Sequence, residues 1–323
     1  MKISVAICTY NGDQFIEEQI DSVLNQSLKV DEIVVCDDGS TDRTIAILNN
    51  YCLAYPNVFK IFRNDKNLKS VKNFEKSIGL CSGDYIFLSD QDDLWVKNKV
   101  ETIIDFFEKN ENISVLATNG YCIDQNSSVH EKYSVWDVPH FLRESNIEFD
   151  YFKIISFIGN IATGASMALR KSIIPDIFPF PIIKGFHHDE WIAIIASYQK
   201  KFELLNEKLF YYRIHEKQQV GGVFFDKNEK VKKNILKVFN YNSNNLSIVD
   251  YKKKLKKLCV SYKKNQCLID NATSSIDFTK ILKEIENLFL LNKNDFKKNN
   301  LIPYLFISFT DKLLNKRILQ NKK

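Results

Sequence analysis

The sequence is short of the features that would direct it into a membrane, a secretory route or a disulfide framework. No stretch of its 323 residues approaches the ~18 unbroken apolar residues of a membrane span. The opening MKISVAICTYNGD meets Asn11 and Asp13 too early for the apolar segment and cleavage site of a signal peptide, so the chain is expected in the cytoplasm. Seven cysteines, at 8, 36, 52, 81, 122, 259 and 267, are odd in number and contain no C-x-x-C pair. That argues against a zinc site or a paired framework and leaves them as small buried hydrophobes. Glycine is missing altogether after residue 222, all ten lying at or before it. With 45% hydrophobic residues and a net charge of +5, the composition is that of an ordinary globular chain, and disordered or fibrous classes are excluded. At about 150 residues per domain, the length suits two domains or one large α/β domain with an appendage.

The small net charge conceals two unlike parts. Residues 1 to 222 carry 23 Lys and Arg against 31 Asp and Glu, a net of −8; residues 223 to 323 carry 22 against 9, a net of +13. An acidic body and a basic tail imply two tasks, the second facing an anionic partner.

Apolar runs and helical periodicities alternate through the acidic part. Lys2–Tyr10, Glu32–Cys36, Val58–Arg63, Asp84–Leu88 and Ile113–Thr118 read as strands. Between them, Phe15 to Leu24 (with Asp13 as a plausible N-cap), Asp42 to Tyr51, Ser70 to Cys81 and Lys97 to Lys109 carry helical spacing. Strands of nearly continuous apolar character alternating with helices predict a mostly parallel central sheet with helices on both faces. In such sheets ligands bind beyond the carboxyl ends of the strands. Thr9-Tyr10-Asn11, Asp37-Asp38 and Asp90 to Asp93 all sit at strand ends, so the predicted fold collects them on one rim. After residue 223 the pattern changes to Lys- and Asn-rich amphipathic helices without a strand signal, with Tyr251, Leu255, Leu258 and Tyr262 on one face. LIPYLFISF (301–309) is apolar but far too short to cross a bilayer.

Asp90, Asp92 and Asp93 crowd three carboxylates at one strand end, which is tolerable if they are solvated or share a hard divalent cation such as Mg²⁺ or Mn²⁺. An acidic turn, with Asp93 capping the next helix, is the plainer alternative. Asp37-Asp38-Gly39-Ser40 is likewise compatible with a turn and a helix start, although a strand-end carboxylate also accepts hydrogen bonds from a nucleobase or a ribose.

Taken together in order and spacing, ISVAICTYNG, VVCDDGSTD and SGDYIFLSDQDD resemble the nucleotide-sugar half of family 2 glycosyltransferases, which have the GT-A fold. The resemblance continues through NLKSVKNF (67–74), Thr163 to Met167 (the strand and small-residue turn before the acceptor region) and HHDEW (187–191). It closes with Tyr212-Arg213-Ile214-His215, Gln218 and Gly221-Gly222, which are similar to the end of the rhamnosyltransferase-like subgroup. It covers about residues 2 to 222, implying a catalytic domain there (nucleotide-sugar half 1–118, acceptor half 119–222) and a Lys-rich helical region over 223–323. It implies that Thr9, Tyr10, Asn11, Asp38, Asn73, Asp90, Gln91 and Arg213 meet the donor, with Asp38 on the base. Asp92, Asp90 and His215 would hold Mn²⁺ or Mg²⁺. Asp189 would be the general base, with Glu190 as the alternative, and Gly164, His188 and Trp191 would lie in the acceptor region. His187 and His188 also suit the surface near a helix start, and Trp191, followed by an apolar run, also suits packing.

The reaction implied is inverting transfer from dTDP-rhamnose or a UDP-hexose to a hydroxyl of a glycan or lipid-linked acceptor in surface polysaccharide assembly. A sugar nucleotidylyltransferase would need a Gly-rich phosphate loop with basic residues near Thr9 to Asp13, where there is none. A non-catalytic carbohydrate-binding protein would be expected to have lost carboxylates that are present. The basic tail is expected to meet an anionic membrane surface rather than nucleic acid, for which no motif is found; a soluble helical cap is the other reading.

Overall fold

The computed structural model describes residues 1–216, 218, 222–244, 246–271 and 276–319. Gly221 lies outside them. In chain order the elements begin β1 (Ile3–Thr9), α1 (Ile16–Leu24), β2 (Glu32–Asp37), α2 (Thr44–Ala54), β3 (Phe59–Arg63), α3 (Lys69–Leu80) and β4 (Tyr85–Ser89). They continue with β5 (Leu94–Trp95), α4 (Lys99–Lys109), β6 (Val115–Ile123), β7 (Val129–His130), β8 (Lys132–Ser134), α5 (Val138–Glu144) and α6 (Tyr151–Phe157). Then come β9 (Met167–Arg170), α7 (Ile174–Ile177), α8 (His188–Tyr198), β10 (Phe202–Arg213) and β11 (Phe224–Asp226). Four helices end the chain: α9 (Glu229–Phe239), α10 (Ile248–Asn271), α11 (Phe278–Asn299) and α12 (Leu301–Leu313).

The central sheet runs β3-β2-β1-β4-β9-β6-β10-β5, with β7 paired to β6. β3, β2, β1 and β4 are parallel throughout, as are β6 and β10; β9 is antiparallel to both of its neighbours. Every residue of β2 and β4 is buried, which is why these strands read as unbroken apolar runs. Ile3, Val5 and Ile7 of β1 pack with Ile16, Ile20 and Val23 of α1 and with Val100, Ile103 and Phe107 of α4. The alternate residues Ala6, Val34 and Ile86 are equally buried on the other face, and α3 packs on β1 and β2. Helices therefore cover both faces.

Register sets the rim. Thr9 pairs with Asp37, Ile7 with Ser89 and Asp37 with Arg63, so the carboxyl ends of β1, β2, β3 and β4 finish together. Because β9 runs the other way, its beginning and the Gly164–Ser166 turn before it lie at that same end. The small-residue turn thus leads directly into the strand. β5 follows the acidic loop at once and pairs antiparallel with β10, Tyr211 opposite Leu94, which brings Arg213 and His215 to Asp92 and Asp93.

The chain divides into two compact units, residues 1–140 with 161–228 and residues 141–160 with 229–323. The boundary differs from residue 222 in two ways. β11 pairs with β8 and belongs to the first unit, so strand structure continues past residue 223. Residues 141–160 belong to the second unit, where Ser261 Oγ donates to Phe157 O at 2.8 Å and Asn265 Nδ2 donates to Ser156 O at 3.2 Å. There the predicted stripe of Tyr251, Leu255, Leu258 and Tyr262 is buried, with Tyr251 stacked on Phe296. Lys254 is buried too, its ammonium donating to Ser243 O at 2.5 Å, so not every tail lysine is solvated.

Candidate active site

The rim loops are tied to one another by their own side chains. Asp37 closes an Asx turn by accepting from the Gly39 and Ser40 N–H groups. Its other oxygen receives the Thr9 hydroxyl at 2.9 Å. The hydroxyl proton expected to meet a nucleotide is therefore committed inside the fold. Asn11 adopts φ 49° in the turn after β1; its N–H reaches Ser40 Oγ and its Oδ1 accepts from Thr41 N at 2.8 Å. Gln91 holds the backbone of Tyr10 from both sides, accepting its N–H at 2.8 Å and donating to its carbonyl at 3.1 Å. Gln91 is thus a strap between the ends of β1 and β4, not a free donor contact. A Cβ at Gly12 would run into Gln91 Oε1, so a larger residue there has to displace the Gln91 amide.

Asp38 is buried and already accepts three hydrogen bonds, from Asn64 Nδ2 and Leu68 N on one oxygen and from Lys69 N on the other. One acceptor position remains on Oδ2. Asn73, expected at the donor, is buried and donates to Cys36 O while accepting from Asn64 Nδ2, so it supports Asp38 through Asn64. Tyr10 is different: its backbone is held while the residue as a whole is 47% exposed.

The acidic loop separates its carboxylates by environment. Asp93 caps no helix. It is buried, accepts the Arg213 N–H at 3.0 Å, and is driven up in pKa by burial and then by Asp92 and Asp90. Burial, then Asp92 and Asp189, also push Asp90 up. The third cause places the HHDEW carboxylate within electrostatic reach of the D-x-D. Asp92 Oδ2 lies 2.9 Å from His215 Nε2, whose ring rests on Phe15. Among the described residues no group of three His, Cys, Asp or Glu side chains forms a cation cage. Asp92 and His215 nonetheless form a two-donor edge of hard oxygen and imidazole beside like charges, a set that fits a divalent ion drawing its other ligands from substrate phosphates.

Arg213 does not reach this edge. Its side chain has no exposure; it donates to Asp92 O at 2.7 Å, to Ser127 Oγ at 2.9 Å and to Glu18 at 2.8 Å, and its guanidinium lies over Phe15. It fixes the backbone that carries Asp92 and has no face left for a diphosphate.

Asp189 sits in the first turn of α8, where backbone N–H groups are free to bond an anion. Burial, then Glu190, raise its pKa to about 7, with the Glu190 and Gly164 N–H groups acting the other way. Glu190 is buried beside it. His188 is buried rather than on the surface: it stacks on Phe74 with ring centroids 3.9 Å apart, burial lowers its pKa to about 3, and it is neutral. A Cβ on Gly164 would meet that ring. Trp191 is core, with Nε1 donating to Ile177 O at 2.7 Å. His188 and Trp191 therefore place α8 instead of touching an acceptor.

Lys99 was not anticipated. Its fully buried ammonium donates to Ala165 O at 2.8 Å and lies over the Trp95 and Phe210 rings. Burial lowers its pKa to about 7, while Asp93 and Asp90 act the other way. The clue was spacing: Lys99, Ile103 and Phe107 share the buried stripe of α4.

The family model described as glycosyl transferase family 2 matches residues 4–178, and the chain belongs to that family. It is 29% identical over 228 residues to the dTDP-rhamnosyl transferase RfbG of Shigella flexneri, covering 67% of this chain and 74% of that one. Two other curated relatives are spanned over less than two thirds of their length, 45% for one from Bacillus subtilis and 65% for one from Nostoc. The fold matches Staphylococcus aureus TarS residues 1–349 in complex with UDP-GlcNAc, with TM-score 0.55, 16% identity, and 93% and 76% of the two chains covered. It also matches the mannosyltransferase PcManGT from Pyrobaculum calidifontis in complex with GDP-Man and Mn²⁺, with TM-score 0.53, 14% identity, and 98% and 88% covered. The fold is GT-A, as the motifs implied.

Proposed function

We propose that this chain is an inverting, metal-assisted glycosyltransferase that moves a hexosyl or rhamnosyl group from a nucleoside-diphosphate sugar to a glycan or lipid-linked acceptor in surface polysaccharide synthesis. The observation that carries the reading is the meeting of the Asp92–His215 edge, Asp90 and Asp189 at one end of the sheet. Tyr10 offers an exposed ring and Asp38 one open acceptor position for the nucleobase. Asp92 and His215, beside Asp90, would hold Mn²⁺ or Mg²⁺, which would supply positive charge for the departing diphosphate.

Asp189 removes the acceptor hydroxyl's proton as the oxygen attacks the anomeric carbon. A pKa near 7 leaves it substantially ionised at neutral pH and still basic enough to take that proton. Glu190 keeps the site negative, and the Gly164 N–H orients the base. A dTDP-rhamnose donor is favoured by the likeness to RfbG. An acceptor at an anionic membrane surface, met by the basic residues of 223–323, accounts for the second unit's charge.

The test is a panel of nucleotide sugars scored by thermal shift and by nucleoside-diphosphate release, with Mn²⁺ or with chelator. A cognate donor should raise the melting temperature and release its diphosphate faster with the ion. Absence of any donor-dependent shift or release across dTDP-, UDP- and GDP-sugars would sink the reading.

A further inference from the structure

The last helix turns its apolar side outward. Ile302 is 80% exposed, Phe306 71% and Phe309 66%, and Leu301, Leu305 and Leu313 are exposed as well. At about 100° per residue these six positions fall within an arc of about 140°, a single stripe along α12. The opposite side attaches the helix: Tyr304 meets Phe296 edge-on, and Asp311 is buried in an ion pair with Arg317. A contiguous stripe of large apolar side chains facing water marks an interaction surface.

Charge selects the occupant. Lys297 and Lys298 end α11 just before the stripe, and Lys312 and Lys316 follow its far end, all exposed. The only acid between them, Asp311, is neutralised by Arg317. A second copy docked stripe to stripe would bring two lysine rims together. An anionic lipid surface instead meets the rims with opposite charge and receives the stripe in its acyl boundary. Thirteen residues span about 20 Å, which suits lying in the interface; no helix among the described residues is long and apolar enough to cross a membrane.

We infer that α12 is an interfacial membrane helix, its Leu301/Ile302/Leu305/Phe306/Phe309/Leu313 face buried among lipid chains and its flanking lysines on anionic headgroups. This deepens the proposed function, resting on its placement of the acceptor at a membrane.

The test is flotation of the full chain with phosphatidylcholine vesicles and with vesicles of equal phosphatidylcholine and phosphatidylglycerol. The parent should float with the anionic vesicles at low salt and weakly with the neutral ones. Ile302→Ser/Phe306→Ser/Phe309→Ser, which alters only exposed side chains, should lower partitioning roughly tenfold or more. Lys297→Glu/Lys298→Glu should remove the preference for anionic lipid. Diphosphate release from a soluble donor should be unchanged in both variants, so the failure of the membrane idea and of the enzyme reading are read separately. In Phe306→Trp, indole emission should shift to the blue and be quenched by lipids brominated on their chains. A parent that stays at the bottom with anionic vesicles overturns the inference. So does a triple serine variant that floats like the parent, which assigns binding to other lysines. A parent that light scattering shows as a dimer, made monomeric by the serine changes, overturns it in favour of a contact between copies.

Discussion

Asp189→Asn is expected to lose activity and gain stability, and the gain should depend on pH. In the folded protein burial, then Glu190, lift the Asp189 carboxyl from its ordinary 3.8 to about 7. Below pH ~3.8 the group is protonated whether the chain is folded or not, and its placement costs nothing. Between about pH 4 and 7 the unfolded chain has released the proton while the folded one retains it, so stability falls as pH rises. Above pH 7 both forms are ionised and the whole cost persists. A shift of about three units at ~1.4 kcal/mol per unit sets a ceiling of about 4 kcal/mol. The carboxyl is half-buried, and screening by water reduces that to roughly 2 kcal/mol. Asn is neutral at all pH values, and it retains only one oxygen for the Gly164 and Glu190 N–H groups, a loss of about 1 kcal/mol.

The variant should therefore be about 1 kcal/mol more stable than the parent at pH 8, and equal or slightly less stable at pH 4, by urea unfolding at both pH values. Its turnover should fall 10²- to 10⁴-fold, roughly the worth of a positioned general base. The parent's kcat/KM should fall about tenfold per unit below pH 7. A variant whose stability relative to the parent declines from pH 4 to pH 8 would refute the electrostatic account, and near-parental turnover would refute the role of base.

Gly12→Ala should displace Gln91 and release the Tyr10 backbone, raising donor KM severalfold and costing about 1–3 kcal/mol, measured by donor titration and urea unfolding. Arg213→Lys keeps the charge but not the fork, leaving the Asp92 carbonyl or Ser127 unpaired; a loss of about 2–4 kcal/mol is expected, along with weakened divalent-ion activation, and full retention of both would contradict a scaffolding role. Trp191→Phe should cost about 1–2 kcal/mol through the lost bond to Ile177 O while leaving acceptor KM unchanged; a raised acceptor KM at unchanged stability would restore Trp191 to the acceptor region. Lys99→Met removes the donor from Ala165 O, so the turn whose Gly164 N–H steadies Asp189 loosens; kcat should fall more than donor KM rises, and the reverse split would assign Lys99 to donor binding.

The parts of this architecture legible beforehand were those whose information is local. β2 and β4 are buried along their whole length and therefore announce themselves as apolar runs, and the carboxylates at their ends follow from that. The antiparallel β9 was harder to read. Its four residues are preceded by a turn, and only the register Ala117–Met167 and Tyr85–Arg170 shows that it passes between β4 and β6 and delivers Gly164 to the rim. β11 is three residues long and owes its existence to β8, some ninety positions earlier. The same distinction divides the site residues. Motif position indicates which residues gather at the rim, but the direction of each side chain depends on partners far away in sequence: Arg213 on Glu18, Gln91 on Tyr10, Thr9 on Asp37 and Lys99 on Ala165.

These four contacts have a common physical origin. A rim that gathers several carboxylates needs rigid loops, because like charges push flexible loops apart. In this chain Gln91 and Lys99 bind backbone groups of neighbouring loops while Thr9 and Arg213 bind the acids Asp37 and Glu18, which fixes the loops that carry Asp90, Asp92 and Asp189. A residue within a conspicuous motif is thus as apt to hold the acids in place as to touch the ligand. Tyr10 is exposed, and the Asp92 and His215 side chains keep partial exposure of 20% and 10%, the surface through which the proposed donor would be met.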